Sequence, residues 1–230
     1  MAEVSKKNLL IFFGELRTFE YVVPLLEKLD EVDVVISTWS ESKRNDSVFH
    51  IDEDYIRNIL PTIKQIHITN SDEVDFGDIN NDFIRPHKMM FHWKLGINNI
   101  VNPNEYENVI LHRCDLVSNW HTILDLDIEE DTIHFHHSNH AYYSSEEHPD
   151  AFWVNDYYFF GKFDIVKKFI NSFNGIYPDS HVGMYKTIYE NNINYKQHIL
   201  KAYLLRDGLI NHPEKLVPAT ALLLGPPKRN

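Results

Sequence analysis

Residues 107–120 read ENVILHRCDLVSNW, and this stretch decides the fold class. Residues 108–112 form a short apolar run after polar turn residues, a pattern typical of a strand buried on both faces of a mainly parallel sheet. The run ends at Arg113, and Asp115 follows, so we expect this aspartate at the carboxyl edge of the sheet, where open α/β folds bind their ligands. Asp115 is therefore a candidate ligand for a metal ion and a phosphate. The alternative is that Asp115 only caps the turn after the strand.

The segments on either side of this stretch alternate between strand-like and helix-like patterns. Strand-like runs lie at residues 8–13, 32–37, 63–68, 132–136 and 153–160. Apolar residues have helical spacing at residues 20–29, 52–60, 85–100 and 163–173, and most of residues 181–206 is helical in pattern. The β-α-β-α-β order of the first part predicts right-handed crossovers and a parallel sheet, and hence an α/β fold.

Length and composition limit the classes of protein to consider. A chain of 230 residues, 43% of them hydrophobic, can bury one substantial core, and we expect one domain over residues 1–212 with an irregular, proline-rich tail or lid at residues 213–230.

The 22 basic and 34 acidic residues give a net charge of -12 without a basic cluster, which disfavours nucleic acid and anionic membranes as partners. Cys114 is the single cysteine, which excludes an internal disulfide and is typical of a reducing compartment. No segment has the roughly 18 apolar residues of a membrane span, so we expect a cytoplasmic protein.

Two basic residues stand in the first turn of the helix predicted at residues 85–100. Arg85 and Lys88 run against the helix dipole, which favours anions at that end. They therefore indicate an anionic ligand shared with the helix terminus. The alternative is that both side chains are simply solvated.

Asp156 is a second candidate functional carboxylate. It falls in the middle of the predicted strand at residues 153–160, where aspartate is disfavoured unless a bulge, a partner or a function holds it. A divalent cation on a phosphate needs only one or two protein carboxylates, so Asp115 could serve the metal and Asp156 could act as a general base. The alternative is a structural role for Asp156 beside a buried arginine or tyrosine.

Several common motifs are absent from the chain. Neither GxxxxGK[ST] nor GxGxxG nor GxSxG occurs, so the P-loop, the dinucleotide fingerprint and the hydrolase nucleophile elbow are excluded. His134 and His136 would share one face of a strand, which leaves a histidine-bound metal hydrolase as an alternative.

Taken in order, several segments resemble the GT-A type nucleotide-sugar glycosyltransferases. These segments are GELRTFEYVVPLLEKL, DVVISTW, KMMFHW, ILHRCDLV, VNDYYFFGKFDIVKKF and SHVGMYKTI. The resemblance covers residues 8–205 and is greatest to small stand-alone enzymes of bacterial, phage and algal-virus surface-glycan synthesis, in which a strand ending in R-x-D-L replaces a full DxD. It implies a single Rossmann-like GT-A domain with a mainly parallel central sheet flanked by helices. It also implies a hexosyltransferase-type enzyme of polysaccharide biosynthesis, which uses a UDP- or GDP-sugar as donor and a glycan hydroxyl as acceptor.

The resemblance also implies roles for individual residues on the donor side. Gly14 and Arg17 would hold the nucleotide, and Thr38 and Trp39 would border the base. Arg85 and Lys88 would face the diphosphate.

The resemblance implies further roles for residues near the metal ion, the diphosphate and the acceptor. Asp115 would bind Mn2+ or Mg2+, and His181 would complete the metal or diphosphate site. Asp156 would be the catalytic base or contact the acceptor. Arg113 stands where a DxD motif has an acid, which makes this arginine a candidate phosphate ligand.

Two other functions stay open at this point. A nucleotidyltransferase also uses nucleotides on an α/β sheet, although GELRTF is a poor match to its glycine-rich basic loop. A non-catalytic nucleotide- or glycan-binding module would keep the cleft without turnover.

Overall fold

The computed structural model describes residues 7–44, 47–77, 79, 84–136, 156–174, 180–198 and 200–205. The predicted tail at residues 213–230 lies outside the described residues. The strands are β1 Lys7–Phe13, β2 Asp33–Trp39, β3 Glu41–Arg44, β4 Ser47–His50, β5 Gln65–Thr69, β6 Tyr106–Arg113, β7 Leu116–Ser118, β8 Thr132–His136, β9 Tyr158–Lys162, β10 Asn194–His198 and β11 Ala202–Leu204. The α-helices are α1 Phe19–Val22, α2 Glu53–Ile59, α3 Ile84–Asn98, α4 Phe163–Asn171 and α5 Ser180–Glu190.

The central sheet confirms the predicted fold class. Seven of the described strands form one sheet in the order β10-β8-β9-β6-β1-β2-β5, and every neighbouring pair is parallel except those that include β9. The remaining described strands form two small antiparallel pairs, β3 with β4 and β7 with β11. The protein is thus a mixed α/β fold with a mainly parallel sheet flanked by helices.

The strand order places a switch point between β1 and β6. From β1 the chain moves to one side through β2 and β5, and it then returns to β6 on the other side of β1. The loops that leave β1 and β6 therefore separate at the carboxyl edge of the sheet. In open α/β sheets a crevice forms at such a point, and ligands bind there.

Both faces of the sheet are buried by helices and loops. Side chains alternate between the faces of each strand, so Leu9 and Ile11 of β1 join one core and Leu10 and Phe12 join the other. Helices α3, α4 and α5 cover the first face, and α1 and α2 cover the second. Gly96 lets α3 approach β1 closely, because a Cβ at this position would lie 2.9 Å from Cγ2 of Ile11.

The helix predicted at residues 20–29 is mostly not α-helical. Helix α1 ends at Val22, and a 3-10 turn, Val23–Leu25, follows. Pro24 explains the break because it has no N–H to donate and its ring conflicts with the carbonyl four residues earlier. Lys28 then adopts a left-handed conformation, with φ of 61°, before a second 3-10 turn, Leu29–Glu31.

The helical pattern predicted through residues 181–206 is correct only as far as Glu190. Asn192 has φ of 49°, Ile193 N–H donates to the Ile188 carbonyl over 3.0 Å, and Asn192 N–H donates to the Tyr189 carbonyl over 3.3 Å. This is a Schellman motif with asparagine in the left-handed position, and it ends α5. Strands β10 and β11 follow in place of further helix. None of the described helices combines the length and the apolar character that crossing a membrane would require.

Candidate functional site

A cleft of about 770 Å³ lies at the switch point. Seven parts of the fold contribute to it: the loop after β1, the end of β2, strand β3, the first half of α3, the turn after β6, the segment just before β9 and the first turn of α5. Its described lining is Phe13, Gly14, Glu15, Arg17, Trp39, Lys43, Arg85, Pro86, Lys88, Met89, His92, Arg113, Asp115, Asp156, Ser180 and His181. The cleft brings together every residue that the sequence singled out for the site, except Thr38.

Thr38 is fully buried and holds the loop after β1 rather than bordering the cleft. Gly14 turns the chain with φ of 100°, and its N–H donates to the Ser37 carbonyl over 3.1 Å. The Thr38 hydroxyl donates to the Gly14 carbonyl over 2.8 Å. Thr38 therefore does not line the cleft, because neighbouring strand residues point to opposite faces and Trp39 takes the cleft face.

Arg113 and Asp115 form a bidentate ion pair on the wall of the cleft. Nε of Arg113 donates to Oδ1 of Asp115 over 2.9 Å, and Nη2 donates to Oδ2 over 2.8 Å. The side chains of Arg113 and Asp115 are 26% and 14% exposed, so both groups are partly accessible to a ligand in the cleft. The guanidinium also lies over the Tyr157 ring, with Cζ 5.4 Å from the ring centre. Backbone bonds fix the turn, because Cys114 N–H donates to the Phe13 carbonyl over 3.1 Å.

Arg113 and Asp115 each stabilise the charged form of the other. Burial by itself would raise the pKa of Asp115, but the guanidinium of Arg113, with a further contribution from Arg17, outweighs burial and lowers the pKa. Burial by itself would lower the pKa of Arg113, but Asp115 and Asp156 outweigh it and raise the pKa. Both groups of the pair are therefore ionised at neutral pH.

Asp156 lies two residues before β9, so the prediction that it falls within a strand is wrong. Strand β9 begins at Tyr158, which pairs with His112, and it runs antiparallel to β6. The start of an antiparallel strand meets the edge where its parallel neighbours end. Asp156 therefore reaches the same edge as Asp115.

One carboxylate oxygen of Asp156 accepts a hydrogen bond, and the other does not. Oδ2 accepts a hydrogen bond from the Ser180 hydroxyl over 2.7 Å. Oδ1 is buried and has no hydrogen-bond partner among the described residues. It lies 3.8 Å from Nη1 of Arg113 and 4.0 Å from Nε2 of His181. Buried polar atoms in proteins are usually paired, so this carboxylate oxygen at the cleft is available to a ligand.

In their observed positions, Asp115 and His181 do not form the predicted metal site. Both oxygens of Asp115 already accept N–H groups of Arg113, and His181 lies beside Asp156. Within the described parts of the chain, no group of three or more histidine, cysteine, aspartate or glutamate side chains is arranged to hold a metal ion. A cation at Asp115 would have to share its oxygens with a guanidinium.

One face of α3 forms the opposite wall of the cleft. Arg85, Lys88, Met89 and His92 all line it, at the three- and four-residue spacing of a helix face. Trp39 packs edge-on against the His92 ring, with centroids 4.2 Å apart, and Lys88 Nζ lies 5.6 Å from the centre of the Trp39 ring. This end of the cleft therefore joins an aromatic surface to basic side chains.

The cleft is basic although the chain is acidic. Its described lining holds five lysine and arginine side chains against three aspartate and glutamate side chains, whereas the whole chain has a net charge of -12. Such a concentration of positive charge in a concave site attracts an anionic ligand.

Buried histidines, His92 and His112 among them, make the free energy of unfolding depend on pH. Burial lowers the pKa of His92 to about 3 and that of His112 to about 4. Below about pH 6.5 the histidines become protonated in the unfolded chain but stay neutral in the folded chain. Their contribution to the free energy of unfolding is therefore fully present above pH 6.5 and is lost as the pH falls towards 4. We expect a loss of about 2 kcal/mol for each histidine between pH 7 and pH 5.

Urea unfolding at pH 7, 6 and 5 measures this loss. The variant His92→Phe removes one of the histidines whose pKa burial lowers, so its free energy of unfolding should fall by about 2 kcal/mol less than that of the wild type over the same range. Equal slopes for the variant and the wild type would contradict the assignment to His92.

Among the described residues, no histidine metal site forms around His134 and His136. Nδ1 of His134 lies 2.9 Å from Nε2 of His198, and Nε2 of His136 lies 2.8 Å from the Leu200 carbonyl. The two rings share a strand face, as the sequence predicts, but each has a different partner.

The lining includes residues that the sequence did not single out. Met89 and His92 had a signal, because they continue the helix face of Arg85 and Lys88. Ser180 had none, because a hydroxyl at the start of a helix is read first as a capping residue. Its contact with Asp156 depends on the tertiary fold alone.

Comparisons with known proteins give a likeness among solved structures only. No protein-family model matches the chain, and no curated protein matches it. Two solved structures to which it is similar are those of the glycosyltransferase GlyE of Streptococcus pneumoniae TIGR4, one of them the apo form. Each has 9% sequence identity and a TM-score of 0.46, and the matches cover 83% and 84% of this chain and 45% of GlyE. The chain thus spans less than half the length of GlyE, and its function is inferred from the cleft itself.

Proposed function

We propose that the protein is a glycosyltransferase that binds a nucleotide sugar in the cleft and transfers the sugar to a glycan hydroxyl. One observation carries this proposal: a buried carboxylate oxygen, Oδ1 of Asp156, has no hydrogen-bond partner among the described residues and borders a basic cleft at the switch point of an α/β sheet. A basic cleft accommodates a diphosphate, and a carboxylate can take a proton from an attacking hydroxyl.

The lining supports a direction for the donor along the cleft. Trp39 offers an aromatic surface for the base, and Arg17, Arg85 and Lys88 offer positive charge to the diphosphate. Arg113 would contact the phosphate next to the sugar, which sets the anomeric carbon near Asp156.

The chemistry then follows from the chain's own groups. Oδ1 of Asp156 would accept the proton of the acceptor hydroxyl as the oxygen attacks the anomeric carbon. The bond from that carbon to the diphosphate breaks, and the arginines stabilise the negative charge that develops on the leaving group. The Ser180 hydroxyl keeps the carboxylate of Asp156 in position. Holding donor and acceptor in line provides the rest of the rate increase.

A panel of nucleotides tests the donor site. We expect UDP or GDP, with its sugar conjugate, to stabilise the purified protein in a thermal-shift experiment. A ligand at 100 times its Kd adds about 2.7 kcal/mol to the free energy of unfolding, which gives a clear rise in Tm. Arg113→Gln should reduce the rise. The proposal fails if no nucleotide raises the Tm, either with Mn2+ or with EDTA.

A further inference from the structure

The pairing of Arg113 with Asp115 bears on the cation predicted for the cleft. A carboxylate binds a divalent cation at about 2.0 to 2.6 Å from its oxygens. The nitrogens of Arg113 lie 2.8 and 2.9 Å from those same oxygens. A cation on Asp115 would therefore lie within about 5.5 Å of a guanidinium, and the two positive charges would repel each other in a partly buried site.

Arg113 has donors left for a phosphate. A guanidinium has five N–H groups, and only two of those of Arg113 donate to a described residue, both to Asp115. Nη1 lies 3.8 Å from Oδ1 of Asp156, which is too far for a hydrogen bond. The planar fork suits a phosphate, and it is charged at every physiological pH.

The charge of the cleft agrees with a ligand that brings no cation. The described lining has two more basic than acidic side chains, with its two histidines left aside. A nucleoside diphosphate sugar has about two negative charges, so the two match without a metal ion. Arg17 also lines the cleft, so a second arginine is available to the diphosphate, and it contributes to the lowering of the pKa of Asp115.

We propose that the guanidinium of Arg113, held in position by Asp115, supplies the positive charge for which a divalent cation was predicted, so that the cleft binds and uses a nucleoside diphosphate sugar without a divalent metal ion. This inference depends on the proposed function. In it, Arg113 contacts the diphosphate, and Asp115 is a positioning residue that fixes the direction of the guanidinium.

Titration calorimetry with UDP and GDP tests the inference on the metal-stripped full chain, once in EDTA and once with excess Mn2+. We expect the Kd in EDTA to stay within about tenfold of the Kd in Mn2+. Release of the nucleoside diphosphate from the matching nucleotide sugar should likewise continue in EDTA. A tightening beyond tenfold with Mn2+, or turnover that stops in EDTA and returns with Mn2+, would overturn the inference while the proposed function stands.

Asp115→Asn separates a positioning residue from a metal ligand. If Asp115 positions Arg113, the variant binds nucleotide more weakly by the same factor in EDTA and in Mn2+. If Asp115 holds a metal, the variant loses only the Mn2+-dependent part of the affinity, and the inference is wrong. Absence of nucleotide binding to the wild type in both buffers would overturn the proposed function, and this inference with it.

Discussion

Asp156→Asn should lower turnover of the nucleotide sugar by about 10²- to 10⁴-fold, the usual contribution of a general base. The amide is isosteric and can still accept the hydrogen bond from the Ser180 hydroxyl, but it cannot take a proton from the acceptor. Nucleotide affinity and Tm should change little, because the diphosphate is bound by the basic side chains elsewhere in the cleft.

Steady-state assays with saturating donor measure this effect. Asp127→Asn is a matched control, since Asp127 is exposed and does not line the cleft. If Asp156→Asn keeps its turnover within a few-fold of the wild type, Asp156 is not the base.

Arg113→Gln should weaken binding of the nucleoside diphosphate by roughly 10- to 150-fold, the equivalent of about 1.5 to 3 kcal/mol for hydrogen bonds to a charged group. Turnover should fall as well, because the leaving diphosphate loses its nearest positive charge. The substitution also leaves Asp115 without its ion pair, so a lower Tm is expected.

Arg113→Lys distinguishes charge from geometry. Lysine keeps the positive charge but lacks the planar fork, so we expect it to recover only part of the affinity. Arg57→Gln is the matched control because Arg57 pairs with Glu53 on α2 and does not line the cleft. Equal affinities for the wild type and Arg113→Gln, measured by calorimetry, would remove Arg113 from the ligand site.

Much of the fold is readable from local patterns. The buried run that becomes β6 ends one residue before Cys114, and the parallel order of the first strands follows from their alternation with helices. The helix face of α3 could be extended from Arg85 to His92 by spacing alone. These features depend on periodicity, which one sequence contains in full.

The remaining features depend on contacts that periodicity does not encode. A strand pattern has no direction, so the antiparallel course of β9, which brings Asp156 to the edge beside Asp115, was not predictable. The pairing of Arg113 with Asp115 is a choice between two ligands, a metal ion and a guanidinium, that only geometry decides. Pro24, in contrast, was a visible signal for the break after α1.

The most direct test of the central claim is turnover of the donor by the purified wild-type protein. UDP- and GDP-sugars are incubated with a mixture of glycan acceptors, and release of nucleoside diphosphate and formation of the glycoside are measured by mass spectrometry, with Asp156→Asn as the blank. We predict release and glycoside formation with one class of donor, at a rate well above that of the blank. Nucleotide binding without release from any donor would indicate a binding module, and pyrophosphate formation from a nucleoside triphosphate and a sugar phosphate would indicate a nucleotidyltransferase. Either result would contradict the account.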